Sequence, residues 1–136
     1  MSQSEQNRAM LEKIYALFFA GEIDKMTEYL SDDAVITEVQ SLPYPGQYFG
    51  KDGLRTIVGK LMETWDDLAF EMDDILASDS RAAGIGTFSA TSRATGRRVS
   101  FPMCEVWEFV DGKIVSCMPI YGDTAQVRQA TGMAPI

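Results

Sequence analysis

The sequence predicts an α+β protein, and three observations carry that prediction. Apolar residues recur at three- and four-residue spacing in the first half of the chain. After Trp65 they alternate in period two almost to the end, and short turn motifs separate the alternating runs. Helices grouped ahead of antiparallel strands imply one helical layer packed on one curved sheet, with room for a cone-shaped cavity between them.

Residues 6–20 predict the first helix. Met10, Leu11, Ile14, Leu17 and Phe18 share a stripe that Tyr15 and Phe19 widen, and Gly21 ends it. A short second helix over residues 22–30 carries Ile23, Met26 and Leu30, with Asp24 as its N-cap. Ser31, Asp32 and Asp33 read as a turn, and residues 34–39 as a β-branched strand on which Glu38 shares a face with Ala34 and Ile36. Residues 40–49 read as a loop with Pro43, Pro45 and Gly46. Its aromatic content (Tyr44, Tyr48, Phe49) suits a pocket cover. Residues 51–64 form a third helix with a broad apolar stripe from Leu54 through Met62 to Trp65. Strands follow over 70–77, 81–92, 98–110 and 113–121, and Asp123 or Thr124 caps a short final helix that Gly132 and Pro135 end.

A chain of 136 residues is one domain, residues 1–136. Its net charge of −8 and lack of basic clusters argue against nucleic acid or an anionic membrane as partner. No apolar run reaches membrane-spanning length, and the N-terminus has no signal-peptide pattern, so a cytoplasmic location is expected. Cys104 and Cys117 read as reduced, buried thiols whose spacing fits no metal motif. The chain has no histidine. That removes Ser-His-Asp and Cys-His catalysis, and the His-based zinc and iron sites. Acid–base chemistry must then use Glu, Asp, Tyr, Lys or Cys.

One carboxylate stands out. Phe101, Met103, Trp107 and Phe109 fall on one strand face, and Glu105 is at its centre. A carboxyl group there is a cost unless it is paired or used. The Asp111-Gly112 hairpin leaves two registers open. A two-residue turn puts Ile114, Ser116, Met118 and Ile120 beside that face, whereas a bulged turn puts Val115, Cys117, Pro119 and Tyr121 there.

Five segments are shared in kind with a known family: AGEID (20–24), YLSDDAVITE (29–38), FGKDGLR (49–55), EVWEFVDGKIV (105–115) and YGD (121–123). Together they resemble the NTF2-like superfamily, and within it the SnoaL-like and ketosteroid-isomerase-like proteins. The resemblance implies a cone-shaped fold, with N-terminal helices packed on a curved, mainly antiparallel sheet. It favours the bulged register. It puts Glu38 at the place of the isomerases' general base, and Glu105 at the place of their neutral carboxylic acid, which donates a hydrogen bond to the developing oxyanion. The family's oxyanion-hole tyrosine falls at Ile14, and Tyr15 lies about 100° round the helix from it. Asp123 lies near the acid/base aspartate of SnoaL-like cyclases.

The expected function is a cofactor-independent isomerase, cyclase or lyase acting on a small apolar, carbonyl-bearing molecule, with no metal. Glu38 would move the proton, Glu105 would hold oxygen charge, and Tyr15 or Asp123 would assist. Phe19, Leu54, Phe88, Phe101 and Met103 are expected to line the pocket, with Trp107 and the tyrosines Tyr44, Tyr48 and Tyr121. The alternative is a non-catalytic binder or dimeric scaffold of the same fold. A third class is a protein–protein adaptor. Apolar residues on the opposite sheet face, Cys104 and Val106 among them, suggest a homodimer packed sheet to sheet.

Overall fold

Ser2 starts the first helix with a capping box: its hydroxyl accepts the Glu5 N–H, and the Glu5 carboxylate accepts the Ser2 N–H. This cap explains why the helix begins before the first apolar residue of its stripe. In the computed structural model, which describes residues 1–135, the elements are α1 Gln3–Phe19, α2 Ile23–Thr27, β1 Leu30–Glu38 and β2 Gly46–Phe49. They continue as α3 Gly50–Thr64, β3 Trp65–Ala77, β4 Arg81–Ser92, β5 Arg98–Val110, β6 Lys113–Tyr121 and α4 Thr124–Ala130. The architecture is the α+β arrangement that the sequence predicts.

The six strands form one open sheet in the order β2-β1-β6-β5-β4-β3, antiparallel except where β1 runs parallel to β6. α1 packs chiefly on β3 and β4, and α3 chiefly on β1 and β2. The two middle strands, β5 and β6, therefore lie under the gap between the helices. That gap is where the pocket forms.

Four local readings are corrected. Ser31, Asp32 and Asp33 belong to β1, because an irregularity between Leu30 and Val35 lets the strand absorb them while both ends stay paired to β6. Residues 46–49 are not loop but β2, an edge strand paired to Val35–Glu38, whose β-prone aromatics outweigh the neighbouring Pro45 and Gly46. β3 begins at Trp65. Its start is masked in sequence by Asp66 and Asp67, which sit at a register shift where Asp67 has φ 52°. α2 is only five residues long and is capped by Glu22 without a side-chain bond; Asp24 pairs instead with Arg55 on the surface.

The last hairpin combines both readings of its register. Asp111 and Gly112 both have positive φ, and Val110 pairs with Lys113, so the turn itself has two residues. Phe109 then pairs with Ile114 but Glu108 pairs with Ser116, leaving Val115 as the extra residue of a bulge. From there on Cys117, Pro119 and Tyr121 take the helix-facing side, opposite Trp107, Glu105 and Met103.

Candidate active site

The pocket spans roughly 700 Å3 including its open mouth. Ile14, Tyr15 and Phe18 of α1 form one wall, and Leu54, Ile57 and Leu61 of α3 form the other. The floor is the middle of the sheet: Met103, Glu105 and Trp107 of β5 with Cys117, Pro119 and Tyr121 of β6. Among the described residues, Glu38 and Glu105 are the only carboxylates in this lining.

Strand register places the two carboxylates. Ile36 of β1 pairs in parallel with Cys117, so two residues further on Glu38 comes level with Pro119, and Pro119 lies opposite Glu105. Glu38, Pro119 and Glu105 thus form a row across three strands, with Cα atoms of the two glutamates two strand spacings apart, on the order of 10 Å. Pro119 is the lining residue between them. It also lacks an N–H, in keeping with the last β1–β6 pair falling at Ile36 and Cys117.

Glu105 is held by a directed relay. The indole N–H of Trp107 donates to Tyr15 Oη at 3.1 Å, and the Tyr15 hydroxyl donates to Glu105 Oε1 at 2.8 Å. Tyr15 reaches Glu105 by crossing β4 at Gly84, the residue paired with Glu105; a Cβ at Gly84 would collide with the phenol. The small residue on β4 is thus what admits the tyrosine.

Glu38 is 2% exposed, and its Oε2 has no hydrogen-bond partner among the described residues. Burial, and then the charge of Glu105, push its pKa up to about 9. Burial raises Glu105 to about 7, the hydrogen bond from Tyr15 acting in the opposite direction. The pair therefore differs in proton affinity, but in the reverse of the expected order: Glu38 keeps its proton and Glu105 ionises first. The reason is the tyrosine, which stabilises the charged form of Glu105 while Glu38 has no donor. Burial also holds the Tyr15 phenol and the Cys117 thiol well above their ordinary values, so both stay protonated.

Phe19, Leu54, Phe88, Met103, Trp107 and Tyr121 line the pocket with Tyr15, Glu38 and Glu105. Phe19 is half-exposed and sits at the mouth. Phe101, Tyr44 and Tyr48 lie outside the lining. Phe101 stacks behind Phe88 with ring centroids 5.0 Å apart. Tyr44 Oη accepts from Trp65 Nε1 at 3.0 Å and shares a 2.7 Å hydrogen bond with Tyr121 Oη. The Tyr48 hydroxyl donates to the Tyr44 carbonyl. Asp123 also lies outside, accepting the Gln126 N–H at 3.0 Å as the N-cap of α4. Sequence reasoning did not single out Pro119 as a spacer or Gly84 as the tyrosine's passage. Gly84 carried a signal, as one of several small residues in β4. Among the described residues no three His, Cys, Asp or Glu side chains gather as a metal site.

The profile of the SnoaL-like domain matches residues 11–117. The chain belongs to the SnoaL-like domain family. Its fold is that of the NTF2-like proteins: one from Burkholderia thailandensis E264 superposes with a TM-score of 0.86 at 27% identity, covering 95% of this chain and 98% of that one. AclR, a candidate hydroxylase from Streptomyces galilaeus, superposes with a TM-score of 0.73 at 23% identity, over 97% and 99% of the two chains. A candidate SnoaL-like polyketide cyclase from Mesorhizobium loti gives a TM-score of 0.68 at 22% identity, over 83% and 97%. No curated protein matches. Within this SnoaL-like chain no helix among the described residues is long and apolar enough to cross a membrane.

Proposed function

We propose that the pocket catalyses cofactor-independent proton transfer on a small apolar, carbonyl-bearing molecule. The observation that carries this reading is the pair of carboxyl groups in an otherwise apolar pocket, one of them with a buried oxygen that has no partner among the described residues. A substrate over Pro119 lies between them. The Glu105 carboxylate takes a proton from the carbon next to the carbonyl, and the released electron pair moves onto the carbonyl oxygen. Neutral Glu38 donates to that oxygen, and return of a proton from Glu105 to a different carbon completes an isomerisation. The same first step opens cyclisation or elimination, and the candidate cyclase among the solved relatives supports chemistry of this class.

Hydrogen–deuterium exchange next to the carbonyl of 1-indanone tests this directly. Wild-type protein should accelerate it, and Glu105→Gln should lower the acceleration by about 100-fold or more. Exchange equal in wild type and Glu105→Gln would remove Glu105 from the mechanism.

A homodimer packed through the outer sheet face is part of the same proposal, in a cytoplasmic setting that keeps both cysteines as thiols. On that face Leu76, Ala83, Val106 and Met118 form one cross-strand row, and Ile85, Cys104 and Ile120 form the next. Leu76, Met118 and Ile120 are 51%, 41% and 46% exposed in the single chain, an apolar surface suited to a self-complementary contact.

A further inference from the structure

Two Trp-to-Tyr relays reach the pocket, and they end differently. The first runs from Trp107 to Tyr15 and terminates on the Glu105 carboxylate. The second runs from Trp65 to Tyr44 to Tyr121. An indole N–H can only donate, so Trp65 occupies one lone pair of Tyr44 Oη. The direction of the next bond follows from burial. If Tyr121 donated to Tyr44, the Tyr44 proton would be stranded, because Tyr44 is 2% exposed and its hydroxyl touches no other acceptor among the described residues. If Tyr44 donates to Tyr121, the Tyr44 proton is satisfied. The unused proton is then the one on Tyr121, a half-buried residue that lines the pocket.

We propose that Tyr121 is a second hydrogen-bond donor, beside neutral Glu38, that this site presents to its ligand, and that the ligand carries a carbonyl or similar acceptor oxygen at that point. Tyr121 follows Pro119 by two residues on β6 and lies opposite Met103, which makes it diagonal to both Glu38 and Glu105 on the same sheet face. Such diagonal neighbours are within reach of long side chains. An oxygen bound at Tyr121 leaves the adjoining carbon over Pro119, beside the carboxylates. Tyr15, whose proton is committed to Glu105, cannot fill this role, so it positions the carboxylate and Tyr121 contacts the substrate.

This assignment rests on the pocket holding an oxygen-bearing apolar molecule, and its test is independent of proton transfer. The probes are 1-indanone and indane, one skeleton with and without the ketone. In NMR titrations wild type should bind 1-indanone more tightly than indane. Tyr121→Phe should weaken 1-indanone about tenfold and leave indane unchanged. The carbonyl stretch of bound 1-indanone should lie lower in wild type than in Tyr121→Phe. Equal affinity of wild type for the two probes, equal weakening of both by Tyr121→Phe, or an unmoved stretch overturns the assignment. If Tyr121→Phe does not fold, 3-fluorotyrosine at position 121 supplies a stronger donor, and the stretch should move lower still; no movement overturns it. Loss of deuterium exchange in Glu105→Gln reports on the acid–base pair alone, so either idea can fail while the other stands.

Discussion

The Tyr15 phenol occupies the space that a side chain on Gly84 would fill, and from there it donates to Glu105. Gly84→Ala should therefore act on a group one strand away. The added methyl displaces the tyrosine, costs about 1–3 kcal/mol of stability in denaturant unfolding, and removes the bond that holds Glu105 down. The Glu105 pKa, followed by carbon-13 NMR of the carboxyl, should rise above about 7. A Glu105 titration unchanged in Gly84→Ala would show that the tyrosine does not depend on this passage.

Stability should fall as pH rises from about 4.5 to 9. Glu105 and Glu38 have folded pKa values raised above the ordinary carboxyl value of 4.5, to about 7 and about 9, so the folded state binds more protons than the unfolded state in that window. The stabilisation is complete below 4.5; Glu105 loses its share by about pH 7 and Glu38 by about pH 9. Each group sets a slope of at most about 1.4 kcal/mol per pH unit. Urea unfolding across this range should show the decline, and Glu38→Gln with Glu105→Gln should flatten it. An equally steep decline in the double variant would assign it to other groups.

Glu38→Leu should make the protein more stable and less active. The wild-type carboxyl is buried with one oxygen unpartnered, and replacing it by an apolar side chain removes a penalty of about 1–3 kcal/mol. Chemical denaturation at pH 7 measures the gain, and 1-indanone exchange measures the loss. A destabilised Glu38→Leu would mean that the carboxyl contributes to the fold.

Ile120→Lys should yield a monomer. Ile120 is half-exposed at the β6 end of its outer apolar row, and a lysine there would put a charge into the apolar surface proposed for the contact. Sedimentation velocity of wild type and variant at matched concentration decides the matter; a monomeric wild type would end the dimer proposal.

The fold was legible because its signals are local and redundant. The stripe of α1, the stripe of α3 and the alternation of β4 to β6 each declare an element without help from the rest. β2 was not legible, since four residues beside Pro45 become a strand only when β1 is there to pair with them. Both carboxylates were legible too, as charges on otherwise apolar strand faces. Their order of ionisation was not. It depends on Tyr15, whose reach across Gly84 is a tertiary fact that the resemblance hides by putting the family's tyrosine at Ile14 instead. Tyr44 shows the opposite limit. Its aromatic loop suggested a cover over the pocket, but the phenol is spent behind the wall on Trp65 and Tyr121.

The bulge at Val115 has a consequence for how this protein tolerates change. Val115 contributes no side chain to the pocket; it contributes a count of one. Many substitutions there should pass unnoticed. Its deletion would restore a regular ladder without changing the pairing beyond it: Ser116 would still lie opposite Glu108 and Cys117 opposite Trp107, so Cys117, Pro119 and Tyr121 would keep facing the helices. The site would therefore keep both Pro119 and Tyr121, and the hairpin would lose only the extra residue of its bulge.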